Sequence, residues 1–112
     1  MKKLEIITRP DKLETLKEIL DARSCTGMTI LSVMGCGRQR GNVHEIKGMT
    51  FNINLLPKIM VNAVIPDELL EPLLIDIREQ LATGQVGDGK VFVSDIQDAM
   101  RIRTGERGSK AI

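Results

Sequence analysis

Tryptophan and tyrosine are absent from this 112-residue chain, and its only aromatic residues are Phe51 and Phe92. Gripping single-stranded nucleic acid by stacking bases on aromatic platforms is therefore almost excluded. Control through a tyrosine hydroxyl is excluded outright. Two cysteines, Cys25 and Cys36, and one histidine, His44, are too few for a sulfur and imidazole zinc site. Each cysteine lies in an apolar or glycine-rich stretch and reads as a buried free thiol, which suits a reducing compartment. No apolar run approaches the length of a membrane span. Met1-Lys2-Lys3 is followed at once by the acidic Glu5, so no signal peptide is expected and the expected location is the cytoplasm. A dominant charge is also missing. Lys and Arg number 16 against 15 Asp and Glu, a net charge of +1, less basic than a protein that coats nucleic acid.

What is present suffices for one modest core. At 12.4 kDa and 42% apolar, residues 1–112 are expected to form one domain. Leu4 to Thr8 is apolar and β-branched, a short strand. Pro10 suits a first helical position, and Leu13, Leu16 and Leu20 follow at helical spacing to about Arg23. Gly27 breaks the chain, and Thr29 to Met34 reads as a second strand closed by Gly35 and Gly37. Periodicity then disappears from Arg38 to about Asn54, a loop of about seventeen residues; a loop that long in a small domain is usually functional or mobile. Ile59 to Ile65 is a third strand. Pro66-Asp67-Glu68 opens a second helix to about Ala82, in which Pro72 requires either a late start or a kink. Thr83-Gly84 ends it, Val91 to Ser94 is a fourth strand, and a polar tail follows from about residue 99.

This order, β-α-β, long loop, β-α-β, describes an α+β ferredoxin-like sandwich: a four-stranded antiparallel sheet with two helices on one face. In the third strand Ile59, Val61, Ala63 and Ile65 point one way and Met60 and Val64 the other. Two helices cover one face only, so self-association is expected to cover the second.

Several weak anion signals are scattered along the chain. Gly84-Gln85-Val86-Gly87-Asp88-Gly89-Lys90 fits the G-x-x-x-x-G-K part of a P-loop, but it runs from helix to strand and Val91 stands where Ser or Thr would hold magnesium. A P-loop NTPase is rejected. Converging backbone N–H groups and Lys90 still suit a phosphate, while a helix cap followed by a turn is the plainer alternative. Arg101 and Arg103, two apart, project from one side if the segment is extended, and either grip an anion or lie solvated. Arg38 and Arg40 repeat the spacing. Between Arg38 and Lys58 four bases face the single acid Glu45, a local charge of +3 that favours an anionic ligand. The second helix has the opposite bias and reads as a solvated face. No catalytic set appears: His44 lies in the loop with no positioned acid, so no enzyme activity is expected.

Five ordered segments together resemble the PII family of nitrogen-regulatory signal-transduction proteins. They are Thr26-Gly27-Met28-Thr29, Gly35-Cys36-Gly37-Arg38-Gln39-Arg40-Gly41, Leu56-Pro57-Lys58, Thr83 to Val93, and Arg101-Ile102-Arg103-Thr104-Gly105-Glu106. The resemblance covers essentially the whole chain. It implies a homotrimer with ATP or ADP bound in clefts between subunits. Gly35, Gly37, Arg38, Gly87, Asp88, Gly89 and Lys90 would line the site, with Thr29 and Val64 near the adenine and Arg101 and Arg103 reaching the phosphates from the neighbouring subunit. It also implies 2-oxoglutarate binding beside Mg-ATP. Gln39 would reach the Mg2+, Lys58 would pair with the distal carboxylate, and backbone N–H groups near Gly37, Arg40 and Gly41 would complete the cradle. The loop over about 37–55, the family's T-loop, would then change shape and select partners: an ammonium transporter, a nitrogen-assimilation enzyme or nitrogenase. Membrane contact would come only through such a transporter, and direct nucleic-acid binding is not expected.

The loop departs from the family pattern. Phe51 stands where many relatives carry a modified tyrosine and Met49 where others carry a phosphorylated serine, so signalling is expected to rest on ligands alone. Lys47 stands where transporter-binding members often have a basic residue. Two other readings remain open at this point. One is a specialised relative dedicated to a single target, nitrogenase or an ammonium transporter. The other is a small ferredoxin-like hydrolase acting on acyl phosphates.

Overall fold

The computed structural model of the chain describes residues 1–36 and 55–112 in full and, between them, only the backbone of 43–46 and 49–52. Strand β1, Lys2–Thr8, alternates inward Leu4, Ile6 and Thr8 with outward residues. Pro10–Lys12 forms a 3-10 turn that leads into α1, Leu13–Ala22. The helix ends at Ser24, which takes a positive φ of 58°. Ser24 N–H donates to Asp21 O at 2.9 Å and Cys25 N–H to Leu20 O at 2.9 Å, the paired bonds of a Schellman stop. The helix end expected near Arg23 is thus made by the backbone at Ser24, ahead of Gly27.

Strand β2 is Thr29–Gly35. Val43–Ile46 (β3) and Met49–Asn52 (β4) pair antiparallel, with Ile46 opposite Met49. Strand β5, Leu56–Ile65, is longer than the sequence suggested by the three residues before Ile59. A 3-10 turn over Asp67–Leu69 precedes α2, Leu70–Leu81. Pro72 is therefore the third residue of α2. The helix starts late, and the N–H that proline lacks is one that has no intrahelical acceptor in a first turn. Strand β6, Lys90–Asp95, completes the set.

The sheet order is β2-β5-β1-β6, antiparallel throughout. β1 and β2 flank β5, which is the split β-α-β arrangement of a ferredoxin-like fold. Leu4, Ile6, Ile59, Val61, Ala63 and Ile65 from the sheet meet Leu16, Ile19 and Leu20 of α1 and Leu73, Ile77 and Leu81 of α2 in one buried cluster. The second face has no helix. Register places Leu31, Met60, Ile7 and Lys90 in one cross-strand row and Thr29, Asn62, Glu5 and Phe92 in the next. Leu31 and Phe92 are exposed.

Three expectations need correction. The segment expected to be an aperiodic loop carries the β3–β4 ribbon, and His44 lies on β3. Val43, Ile46, Thr50 and Phe51 are good strand formers. The tail around Arg101 and Arg103 is not extended. Met100 bridges to Arg107, and Gly105, at φ 75°, turns the chain between them. The two arginines therefore lack the shared side that extended backbone would impose. Cys36 is exposed rather than buried, because it follows the last residue of β2 and lies beyond the core; Cys25 is half-buried, and burial pushes its thiol up. No helix among the described residues is long and apolar enough to cross a membrane.

Candidate functional site

Between the end of α2 and the start of β6 the chain makes a glycine-rich turn organised by Asp88. Its carboxylate accepts from Thr83 N–H at 2.8 Å, from Gly84 N–H at 2.9 Å and from the Thr83 hydroxyl. These bonds, the Thr83 hydroxyl first, hold the Asp88 carboxyl below the usual carboxylate range. Gly84, Gly87 and Gly89 all take positive φ.

The sheet grips the other side of the turn. Three successive carbonyls each accept from a sheet-side donor: Val86 O from Arg9 Nη2 at 2.8 Å, Gly87 O from Lys58 Nζ at 3.0 Å, and Asp88 O from the Thr8 hydroxyl at 2.8 Å. In a trans peptide the N–H points opposite the preceding carbonyl. Fixing these carbonyls toward the sheet turns the N–H groups of Gly87 and Gly89 to the far side, while Asp88 N–H donates within the turn to Gln85 O at 3.4 Å. Lys90 follows directly as the first residue of β6.

Lys58 reaches the turn across Gly35, where a Cβ would stand 3.0 Å from Lys58 Cγ. Partial burial pulls the Lys58 ammonium below an ordinary lysine. The Arg9 guanidinium adds to this, and Asp88 opposes it. Gly35, Lys58 and Gly87 to Lys90 thus form one group at one end of the sheet.

Thr29, Val64 and Arg101 form a second group. With Cys25, Asn62 and the C-terminal Ile112 they line a cleft of about 710 Å³. Arg101 bonds Glu106 at 2.9 Å, whereas Arg103 is exposed on the adjoining turn. Lys58 and Val64 are six residues apart on β5, roughly 20 Å at the usual strand rise. Within one chain, then, the described residues among those expected at the nucleotide fall into two clusters at opposite ends of the sheet. Thr29 and Val64 share a side with Arg101, not with Gly35 and Lys90, so a neighbour that supplies Arg101 supplies them too.

Gly37, Arg38, Gln39, Arg40, Gly41 and Lys47 lie outside the described residues, as do the side chains of Met49 and Phe51 on β4. Among the described residues no group of three His, Cys, Asp or Glu side chains could hold a metal ion. Sequence reasoning missed three residues here: Thr8, Arg9 and Asn62. Thr8 had a signal, as the one polar side chain among the inward positions of β1, and it is 2% exposed. Asn62 is polar between Met60 and Val64, and its Oδ1 is buried without a hydrogen-bond partner among the described residues. Arg9 had no sequence signal, since its role depends on a turn some eighty residues away.

The open-faced split β-α-β sandwich, with a glycine turn gripped at one sheet end and a cleft at the other, defines a small ferredoxin-like protein. The family model described as Nitrogen regulatory protein P-II matches residues 1–106, and the chain belongs to that family of nitrogen-signalling regulators. It is 44% identical over 112 residues to Nitrogen regulatory protein P-II of Bradyrhizobium diazoefficiens, covering all of both chains. It is 43% identical to that of Rhodospirillum rubrum, again covering all of both. Nitrogen regulatory protein P-II 2 of Methanothermobacter thermautotrophicus is 43% identical over all of this chain and 97% of the relative.

Proposed function

We propose that this chain is a cytoplasmic, non-enzymatic sensor that binds ATP or ADP and, with Mg-ATP, 2-oxoglutarate, and that ligand occupancy changes the 37–55 segment and so its choice of target. The observation that carries this reading is the division of the expected site into two half-sites at opposite ends of the sheet. The turn at Gly87 to Lys90 suits phosphates: it offers N–H groups and ammonium charge. The cleft at Thr29 and Val64 has room for a base, with the apolar Met28, Val64 and Leu69 in its lining and Arg101 beside them. No single chain brings the two together, so a nucleotide would lie between copies. A homotrimer with its open sheet faces inward joins three such pairs and covers the exposed Leu31 and Phe92.

Lys58 stands where a dicarboxylate beside the phosphates would meet a positive charge. Gln39 would add an oxygen to the Mg2+, and Arg38, Arg40 and the glycines around them would complete the cradle. The target belongs to nitrogen metabolism: an ammonium transporter, an assimilation enzyme or nitrogenase. Lys47, Met49 and Phe51 would lie on the contacting segment.

Calorimetric titration with Mg-ATP, with and without 2-oxoglutarate, tests the reading. The expected result is 2-oxoglutarate binding that requires Mg-ATP and vanishes in Lys58→Ala. Absence of nucleotide binding would sink it.

A further inference from the structure

We infer that Arg9 is the positioning residue of the phosphate turn. This rests on the reading of that turn as a nucleotide site. Of the three donors that hold the turn's carbonyls, Thr8 and Lys58 project from the sheet interior and its open face, while Arg9 follows the last residue of β1. Its Nη2 takes the Val86 carbonyl at 2.8 Å. Its Nε is buried without a hydrogen-bond partner among the described residues and stands 3.7 Å from Asp88 Oδ1. One guanidinium therefore spans both flanks of Gly87, bonded on one side and just beyond bonding reach on the other. A guanidinium is rigid and planar, so fixing Nη2 on Val86 also fixes where Nε stands relative to Asp88.

The consequence is local and directional. Holding the Val86 carbonyl toward Arg9 turns the Gly87 N–H toward the anion side. The Asp88 carboxylate, itself held by Thr83 and Gly84, stands 3.7 Å from Nε and so keeps the guanidinium against the turn electrostatically. Arg9 does not touch the base cleft, and no described contact links it to Thr29 or Val64. It also places a second positive charge beside Lys58, so its removal lets the Lys58 ammonium return toward ordinary lysine behaviour.

Arg9→Ala in the full chain tests this, read by NMR titration with ADP and with adenosine. The expected result is at least tenfold weaker ADP binding, adenosine affinity within twofold of the parent, faster amide exchange at Gly87 and a Lys58 amine that titrates higher. Arg9→Lys, with the charge and one donor kept, recovers part of the ADP affinity. Equal weakening of ADP and adenosine, or unchanged ADP binding, would overturn the assignment. If the parent chain binds neither ligand, the nucleotide reading fails by itself. Amide exchange at Gly87 then decides the role of Arg9, and an unchanged rate overturns it.

Discussion

Gly89 is pressed against the backbone of Ile7 so closely that a Cβ at Gly89 would stand 1.8 Å from the Ile7 carbonyl oxygen. No side chain fits there, and φ of 106° disfavours one independently. This contact seats the turn on β1 and aligns it with Thr8 and Arg9.

Gly89→Ala should therefore destabilise the fold by about 4 kcal/mol or more, as forced backbone displacement does. Gly84→Ala is the control: φ is 83° but the space is open, so only the left-handed conformation costs, about 1 kcal/mol. Urea denaturation of both variants checks the difference. Equal losses would show that the Ile7 contact is not what seats the turn.

Thr8→Val keeps the buried shape and removes the hydroxyl that donates to Asp88 O at 2.8 Å. The expected cost is about 1 kcal/mol, from a carbonyl left without its donor. Thermal melting reads this, and a variant as stable as the parent would contradict it.

Asp88 has a folded pKa below its unfolded value, so its bonds to Thr83 and Gly84 stabilise the fold above the usual carboxylate range, near pH 4. That stabilisation is lost as pH falls from there through the lowered folded value. Asp88→Asn should lower stability at neutral pH and flatten the acid limb of a stability–pH curve. An acid limb identical to that of the parent would mean that Asp88 contributes nothing there.

The folded pKa of Lys58 is also lowered, but by burial that disfavours its charged form. The chain therefore sheds this proton at a lower pH than an unfolded lysine does, and stability rises across that window. A carboxylate ligand needs the charged form. If 2-oxoglutarate binds here, its affinity should decline with rising pH before an ordinary lysine, near 10.4, would titrate. Calorimetry from about pH 7 upward measures this, and an affinity that holds past the point where an ordinary lysine titrates would exclude Lys58 as its partner.

Much of the fold was legible in the sequence because each element buries a regular stripe. The alternation Ile59, Val61, Ala63, Ile65 and the spacing Leu13, Leu16, Leu20 specify strand and helix by their periods. The β3–β4 ribbon was not legible: His44 and Glu45 interrupt any apolar alternation in Val43–Ile46, so only pairing with β4 reveals the strand. The turn in the tail was not legible because it rests on Gly105, whose positive φ leaves no sign in the spacing of Arg101 and Arg103. Gly35, Lys58 and Gly87 were expected together and lie together. That Thr29 and Val64 lie with Arg101 at the other end of the sheet follows from register, which no local pattern encodes.

The most direct test of a nucleotide held between copies is complementation of the two half-sites. Lys90→Ala removes charge from the turn, and Arg101→Ala removes it from the cleft rim. Each variant alone should bind Mg-ATP at least tenfold more weakly than the parent. Refolded together as a mixed trimer, they should recover parent-like affinity at roughly one site in four, where an intact turn meets an intact cleft from another copy. A mixture that binds no better than the variants apart would contradict a shared site and place the nucleotide within one chain.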